Sequence, residues 1–558
     1  MRTLVILLLC SFSARSQLTV DQKIEDFKSL SGIYAKRYAP YDWKKTIFGF
    51  DALNIAPWLD RVSSTTNDLD FYELMVEYVA DLHDSHAYYQ LPSTFFASLN
   101  ITVDIYDGKV LIDNLNRPAL PLTTYPFQVG DEVVSVDGTA AADLIQAFSK
   151  YVQLANMRAT QRRAASRIVM RPQNRMPHAI SVADSATVVI QRQTGALETY
   201  SLPWVKSGVP LTQIGPVPSP SSVSMSAPRT SAVGEDDGPD PLASLQNSKG
   251  EDSGELSTGS LTPVFALPNG FVQRLGKAAT DYFYSGTFPA GGKTIGFIRI
   301  PRYDPPDQAA ALAQFASEIA FFQASTDGLI VDEMRNPGGQ LCYGESIASF
   351  LIPNTFRPIG YQIRPTWDYV VRFDSALQSA KRNNAAPSII DQYQGLYNAI
   401  RTAYDSNRGL TDPVPFCGAS FERQPAKDGN GNILAYQKPL ILLTDEFSSS
   451  TADSVAAVLQ DNQRGQIVGY RTNGAGGNNS LAIDRFQAGE YSEGDTGVTL
   501  ALMVRKNPIT TDDFPATAYI ENVGVRPDVQ IDYMTTANLL QRGTPFFDAV
   551  TAALLAQM

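Results

Sequence analysis

The spacing of apolar residues changes several times along the chain, and each change predicts a different kind of structure. From residue 17 to about residue 97, the apolar positions recur every three to four residues. Within this stretch Leu74, Tyr78 and Leu82 fall on one face of a helix, which suggests packing against a neighbour. We therefore expect an N-terminal helical region over residues 17–97.

Between residues 98 and 212 the spacing changes to alternation, which is typical of β-strands. Three strands, a helix and a closing strand are predicted, at Ile101–Ile105, Lys109–Ile112, Glu132–Val136, Ala141–Tyr151 and Ala186–Arg192. The run Gly130-Asp131-Glu132-Val133-Val134-Ser135-Val136-Asp137-Gly138 resembles the signature strand of a PDZ domain. That resemblance implies a PDZ-like module over 98–212, which either accepts an extended peptide by strand addition or serves as a spacer.

The next segment, residues 213–263, has few apolar side chains and is rich in Ser, Pro, Gly and acidic residues. Such a composition cannot bury enough apolar surface to fold, so we expect a disordered linker. Flexible exposed segments are where proteases cut, which makes this linker the natural position for self-processing.

Beyond the linker, strand patterns alternate with helical patterns, as in Lys293–Ile300, Gln308–Ala324 and Gly328–Asp332. This alternation predicts an α/β domain over residues 264–536. A helical insertion with an irregular loop interrupts the domain at residues 365–435, and residues 537–558 are expected to form a C-terminal helix. The chain is thus predicted to be a multidomain α/β protein.

Residues 1–16 have the features of a secretory signal peptide, with an early arginine, an apolar core and small residues before Gln17. Removing this segment takes the formal charge from −12 to −14, because it contains two arginines. An acidic chain without a basic cluster is a poor nucleic-acid binder, and no later apolar run is long enough for a membrane span. We expect a soluble, secreted protein.

Two further features concern the secretory route. Cys342 and Cys417 are the cysteines left after removal of the signal peptide, and they either pair as a disulfide or remain as buried thiols. Asn100 and Asn478 begin Asn-x-Ser/Thr sequons and are candidate glycosylation sites.

The strongest chemical signal follows the apolar run Pro439–Leu443, which ends in Thr444-Asp445-Glu446-Phe447-Ser448-Ser449-Ser450 and continues as an amphipathic helix. A strand, a tight serine turn and a helix N-terminus expose a hydroxyl nucleophile over backbone N–H groups. This order favours acyl transfer through serine. The alternative is a strand followed by an ordinary helix cap, for which Ser and Thr are also preferred.

A serine nucleophile needs a base, and the chain has only three histidines. His83 and His86 lie where a predicted helix breaks into a loop, whereas His178 sits in a basic loop and is expected to be solvated. Zinc binding by His83 and His86 is not favoured, because no further ligands complete a site in the sequence. We predict no metal and no cofactor.

Four segments, in order, resemble serine peptidase family 41, which includes the tail-specific (C-terminal processing) proteases, tricorn protease and the chlamydial protease-like activity factor. The resemblance covers most of residues 70–535, outside the linker and the insertion, and it implies a crotonase-like catalytic core. The segments are Asp84-Ser85-His86-Ala87, Val331–Gly339, Ser450-Thr451-Ala452-Asp453 with its helix to Arg464, and Ile520–Asp528.

The resemblance implies a nucleophile and an oxyanion hole. Ser450 matches the nucleophile, with Ser448 and Ser449 as alternatives if the turn is shifted. The backbone N–H of Thr451, together with that of Gly338 or Gly339, would bind the oxyanion.

The resemblance also implies the base. The bacterial branch uses a lysine, but the matching position here is Ala475, so a Ser–Lys dyad is excluded at that site. What remains resembles the tricorn and chlamydial branch, with His86 as base and Glu521 as the carboxylate that orients it. His83 is the alternative base, and Glu521 could instead cap a turn.

These features predict a secreted serine endopeptidase with a Ser-His-Glu triad, acting on peptide or protein substrates as a monomer or homo-oligomer. The resemblance and the sequons suggest a fungal glycoprotein that trims precursor peptides in secondary-metabolite (mycotoxin) biosynthesis. The rival is an inactive secreted binding protein of the same fold that carries a peptide or apolar ligand, because Ala475 and Asp453 depart from the family pattern. A lipase or esterase is disfavoured, since no Gly-x-Ser-x-Gly surrounds Ser450.

Overall fold

The computed structural model describes residues 17–211, 241–249, 255–478 and 485–558. The expected signal peptide and most of the expected linker lie outside the described residues. None of the described helices is both long enough and apolar enough to cross a membrane.

The N-terminal region is helical, in agreement with its apolar spacing. Thr19 forms a capping box with Gln22 at the start of the first helix, and the Asn67 side chain caps the fourth. The helices are held together by a cluster of aromatic rings that includes Phe27, Trp58 and Tyr78. The four helices span Val20–Arg37, Tyr41–Phe48, Ala56–Ser63 and Asp68–Ala80.

The expected PDZ-like module is an antiparallel sheet with its own apolar core, formed by alternating residues such as Val103, Val188 and Ile190. Two helices, Ala141–Ser149 and Met157–Val169, accompany the sheet, and the second packs on its first strand. The strands are Ile101–Tyr106, Lys109–Leu115, Glu132–Val136, Thr139–Ala140, Ser185–Gln191 and Leu197–Pro203.

The α/β domain is built on a seven-stranded sheet that is parallel from its third strand onward. Alternate residues of its central strands belong to two apolar clusters, one containing Val331 and the other Ile330, so both faces of the sheet are covered. Helices Gln308–Ser325, Leu341–Leu351 and Thr451–Asp461 belong to the first cluster, and helix Thr544–Leu555 belongs to the second. In spatial order the strands are Val272–Leu275, Tyr284–Ala290, Lys293–Arg299, Gly328–Asp332, Leu440–Thr444, Gln466–Gly469 and Val529–Gln530.

Smaller elements complete the domain. The insertion forms a helical hairpin, Trp367–Arg382 and Pro387–Asp405, followed by an irregular loop. Cys417 in that loop forms a disulfide with Cys342, with the two Cα atoms 5.3 Å apart. A second sheet contains Gly360–Ile363, Gly477–Asn478, Ala501–Ile509 and Thr517–Tyr519, and a third joins Tyr88–Gln90, Arg485–Gln487 and Asp495–Gly497.

Two expectations require correction. Within the expected disordered linker, residues Pro241–Gln246 form a helical turn and Asn247–Lys249 form a strand, because Leu245 is buried and the strand pairs with Gly338–Gln340 of the α/β domain. Glycosylation at Asn478 is not compatible with this arrangement, because its side chain is fully buried and its Nδ2 donates to the Leu245 carbonyl at 3.0 Å. Local composition does not reveal pairing partners that are distant in sequence.

Candidate active site

The nucleophile turn has the strand–turn–helix geometry that its sequence indicates. The strand Leu440–Thr444 is buried along its length, and the helix Thr451–Asp461 begins directly after Ser450. Ser450 has φ +60° and ψ −111°, a conformation that residues other than glycine rarely adopt. Strain of this kind, at the residue before a helix, is typical of a nucleophile elbow and favours Ser450 as the reactive serine.

The neighbouring serines are occupied in holding the turn. Ser448 Oγ donates to the Glu333 carbonyl at 2.8 Å and accepts from the Asp445 N–H at 3.0 Å. The Ser449 N–H donates to the Asn336 carbonyl at 2.9 Å. Ser448 and Ser449 therefore anchor the turn to the loop that follows strand Gly328–Asp332.

Asp453, one turn into the helix, fixes the strained conformation. Its Oδ2 accepts from the Ser450 N–H at 2.7 Å, which completes a capping box. The same carboxylate accepts from the N–H groups of Gly474 at 2.8 Å and Ala475 at 3.1 Å. Burial raises the pKa of Asp453 to about 6. The position that holds lysine in the bacterial branch thus contributes a backbone N–H to the nucleophile turn.

His86 is held by a short turn that follows the helix Asp68–Ala80. Asp84 organises this turn, because its Oδ1 accepts from the His86 N–H at 2.8 Å. Its Oδ2 accepts from Tyr38 Oη at 2.9 Å and from Thr499 Oγ1 at 2.8 Å, so the turn is attached to both the N-terminal helices and the catalytic domain. Asp84 thus fixes the backbone of His86.

Strand pairing then brings the turn to the nucleophile. Tyr88–Gln90 pairs with Asp495–Gly497 of the catalytic domain, and Ser85 Oγ donates to Asn473 Oδ1 at 2.6 Å. As a result His86 Nε2 lies 3.1 Å from Ser450 Oγ, although 364 positions separate the two residues. Both side chains are buried, at 1 % and 0 % exposure. This distance is within hydrogen-bond reach for proton transfer.

The environment keeps the imidazole neutral. Burial lowers the pKa of His86 to about 4; the negative charge of Asp84 opposes the fall, and the charge of Lys44 adds to it. At pH 7 the imidazole is therefore in the neutral form that can accept the serine proton.

Glu521 is fully buried near this group, but its hydrogen-bond partner is a lysine. Its Oε1 accepts from Lys44 Nζ at 2.5 Å, its backbone carbonyl accepts from Trp43 Nε1 at 2.9 Å, and its Oε2 accepts no hydrogen bond from the described residues. Burial and the charge of Asp84 raise the pKa of Glu521, and Lys44 opposes the rise. Orientation of His86 by Glu521 therefore stays a prediction.

The candidate oxyanion-hole residues lie against the nucleophile. A Cβ on Gly338 would stand 2.7 Å from Ser450 Cβ and 2.9 Å from Thr451 N, and the φ of this glycine is +93°. Thr451 begins the helix, so its N–H has no partner within that helix. The Gly338 N–H donates to Asn336 Oδ1 at 2.8 Å, and Gly339 lies opposite Ser248 in a strand pair, so either glycine remains a candidate for the second oxyanion donor.

The other two histidines have different surroundings. The His83 ring stacks on Phe48 with centroids 4.3 Å apart, and burial lowers its pKa to about 4. His178 forms a surface ion pair with Asp70 at 3.0 Å, consistent with a solvated residue. In the described part of the chain, no group of three or more His, Cys, Asp or Glu side chains is arranged to hold a metal ion.

A buried charge network that the sequence did not indicate joins the PDZ-like module to the nucleophile turn. Arg162 donates to both oxygens of Asp104 at 2.9 and 2.6 Å and to Glu446 Oε1 at 2.7 Å, and it also contacts Tyr533 Oη. Arg158 donates to the same Glu446 oxygen at 2.8 Å. No local pattern reveals these partners, because they lie on distant segments.

One strand edge of the site is covered by the chain itself. Asn247–Lys249 runs antiparallel to Gly338–Gln340, with Ser248 opposite Gly339. Extended peptides bind to proteins in this way, by adding a strand to an exposed edge. The edge beside the nucleophile is thus occupied in the described structure.

Comparison with known proteins agrees with this architecture. Residues 294–531 match the model of peptidase family S41, and residues 96–208 match that of the PDZ domain. Proteins from Chlamydia trachomatis serovar D and Chlamydia pneumoniae are 24 % and 23 % identical to this chain, covering 95 % and 97 % of it and 93 % and 91 % of their own lengths.

Solved structures are similar over almost the whole chain. Mature CPAF complexed with lactacystin has a TM-score of 0.73 at 21 % identity, covering 96 % of this chain and 98 % of its own. Mature CPAF gives the same score and identity, with 96 % and 97 % covered. At this level of identity the match shows a common fold.

Proposed function

The chain belongs to peptidase family S41 and is a serine peptidase, and we propose that it is a secreted endopeptidase in which Ser450, His86 and Glu521 act together. The observation that carries the proposal is the 3.1 Å separation of His86 Nε2 and the strained Ser450 Oγ. The strained backbone and the contact with the imidazole occur at the same serine.

The reaction follows from these positions. Ser450 Oγ attacks the scissile carbonyl carbon while His86 Nε2 takes its proton, which forms a tetrahedral oxyanion near the N–H groups of Thr451 and of Gly338 or Gly339. His86 then gives the proton to the leaving amine, and the acyl-enzyme remains. Water attacks this ester with His86 again as base, which releases the second product and restores Ser450. The Glu521 carboxylate, when ionised, stabilises the imidazolium formed in each half-reaction.

The geometry favours this proposal over the inactive binding protein. Ala475 and Asp453 first suggested a lost function, yet Asp453 holds both Ala475 and Ser450 through backbone hydrogen bonds. A carrier protein gains nothing from a strained serine in contact with a neutral imidazole, and strain of about 1–3 kcal/mol persists only where the surroundings enforce it.

The occupied strand edge bears on how substrate enters. We include in the proposal that Asn247–Lys249 leaves the edge Gly338–Gln340 before a substrate strand binds there, by cleavage within residues 213–263 or by displacement. Intact-mass measurement of the secreted protein, paired with its activity, tests this point. Full activity of an uncut chain whose segment stays protected from hydrogen exchange contradicts it.

A fluorophosphonate probe tests the nucleophile on the full chain, before and after limited proteolysis of the linker. We expect a covalent adduct on Ser450, and we expect Ser450→Ala to lose both labelling and more than about 10³-fold of kcat. Ser449→Ala is the matched control and keeps the adduct. If neither form of the wild-type protein is labelled, the binding-protein alternative replaces this proposal.

The biological role extends the proposal. Trimming of precursor peptides in fungal secondary-metabolite (mycotoxin) biosynthesis is the role that the sequence resemblance suggests, with secretion expected from residues 1–16. Incubating the purified enzyme with a candidate precursor and mapping the cleavage products by mass spectrometry tests this role. A precursor that stays intact under conditions where a model peptide is cut argues against it.

A further inference from the structure

The helix Tyr41–Phe48 places a lysine at the base side of the site. Lys44 is only 1 % exposed, and its Nζ donates to Glu521 Oε1 at 2.5 Å, to Asn522 Oδ1 at 2.7 Å and to the His83 carbonyl at 2.8 Å. An ammonium group has three protons, and three acceptors surround this one. Its position is therefore fixed, in contrast to that of an exposed lysine.

The three acceptors belong to the two segments that carry the proposed base and its carboxylate. His83 lies in the turn that presents His86, while Glu521 and Asn522 begin the segment after strand Thr517–Tyr519. Asn522 Nδ2 donates to the same His83 carbonyl at 2.8 Å, which closes a small ring of hydrogen bonds. Lys44 thus bridges two segments whose hydrogen-bonded residues, His83 and Asn522, are 439 positions apart in the chain.

We propose that Lys44 is a positioning residue, which holds the Glu521 side chain in place and fixes the turn that carries His86. The proposal rests on the proposed function, because it assigns a partner to the carboxylate of that triad. Lys44 itself is buried, so it acts through Glu521 and the His83 carbonyl.

The charges around this pair explain why a cation is needed. Burial raises the pKa of Glu521 to about 8; Asp84 from the base turn and Asp453 from the nucleophile helix add to the rise, and Lys44 opposes it. The Tyr38 phenol faces the same group and stays neutral, because burial raises its pKa well above the usual value. Without the cation, carboxylates clustered in a buried site take up protons at still higher pH.

The same lysine acts on the imidazole. Lys44 adds to the lowering of the pKa of His86, and it also lowers the pKa of His83 next to it. Removing the cation therefore raises the pKa of His86 and allows Glu521 to become protonated at higher pH. Both changes move the acid limb of the activity profile in the same direction, towards higher pH.

The test is the pH dependence of kcat/KM for Lys44→Met, Lys44→Arg and the wild type. We expect the acid limb of Lys44→Met to move up by about 1–3 pH units, the range for loss of an opposite charge in contact. Lys44→Arg keeps the charge and shows the smaller shift. In both variants KM changes by less than about threefold, because interactions that bind substrate and transition state equally are unchanged.

Lys23→Met is the matched control. Lys23 is also a buried lysine of the N-terminal helices, 3 % exposed, and donates to Thr65 Oγ1 and the Asn67 carbonyl at 3.1 Å, away from the site. We expect it to lower stability without moving the acid limb. A limb that moves equally in Lys23→Met and Lys44→Met, or that stays in place in a folded Lys44→Met, overturns the proposal.

If Lys44→Met alone does not fold, the double variant Lys44→Met/Glu521→Gln removes both charges and leaves no unpaired ion. It should match Glu521→Gln in kcat, and a further loss of more than about tenfold refutes action through Glu521. Fluorophosphonate labelling of the wild type distinguishes a failure of the proposed function from a failure of this inference alone. Without a Ser450 adduct the proposed function and this inference fail together, whereas a normal adduct with an unmoved limb refutes this inference alone.

Discussion

Replacing Gly338 with alanine is the most direct test of how the loop 336–339 and the nucleophile turn fit together. The added Cβ would lie 2.7 Å from both the Ser449 carbonyl oxygen and Ser450 Cβ, and 2.9 Å from Thr451 N. These separations are shorter than van der Waals contact, and two of the three atoms belong to the backbone. The glycine φ of +93° adds strain for any residue with a side chain. The nucleophile turn must therefore move.

The expected losses of stability and of kcat follow from the groups that the added Cβ displaces. The conformational strain costs about 1–3 kcal/mol of folding stability. Displacing the Thr451 N–H removes one donor to the oxyanion, which costs about 10²–10³ in kcat, and a shift of about 1 Å at Ser450 costs about 10². We expect kcat of Gly338→Ala to fall by about 10²–10³, with a smaller change in KM, since the donor acts in the transition state.

The assay is steady-state hydrolysis of a peptide substrate, with circular dichroism to confirm folding. Gly395→Ala is the control, because Gly395 lies within helix Pro387–Asp405 and its Cβ would meet no atom within 4 Å. It should keep kcat and gain about 0.5–1 kcal/mol of stability, as glycine is costly inside a helix. A folded Gly338→Ala enzyme with kcat within threefold of the wild type would refute the reasoning.

Three further predictions rest on other parts of the structure. The His86 imidazole should titrate well below 6.5, because burial lowers its pKa to about 4 and the neutral form is lost only as pH falls through that value. NMR titration of the histidine ring measures this pKa, and a midpoint at or above 6.5 contradicts the prediction. Arg162→Met should destabilise the protein by about 3–5 kcal/mol, since it leaves Asp104 and Glu446 buried with one partner fewer, and urea unfolding that shows less than about 1 kcal/mol argues against the network. Replacing Cys342 and Cys417 with serine should lower the free energy of unfolding by about 4 kcal/mol, because the disulfide closes a separation of 75 residues in the unfolded chain. Unfolding with and without reductant measures this loss, and equal stability of the two forms would contradict it.

Local patterns determined the secondary structure of this protein and the chemistry of its turns. Apolar spacing predicted the N-terminal helices, the β-module and the α/β domain, since burial of one face or both faces is a property of consecutive residues. The serine turn before the helix Thr451–Asp461 was equally local. The scarcity of histidine reduced the choice of base to His83 or His86, and only the fold distinguished them: His86 Nε2 lies 3.1 Å from Ser450 Oγ.

Tertiary structure alone decided which charged groups surround the site. Lys44 has no sequence feature that separates it from Lys45 beside it, yet the first is 1 % exposed and the second is half exposed. Glu521 matched the family pattern, but its hydrogen bond to Lys44 depends on a helix 477 positions away. Likewise, Asn247–Lys249 folds because it pairs with Gly338–Gln340 and not because of its own composition. Electrostatic and strand-pairing energies depend on distance in space, and a linear pattern does not contain that distance.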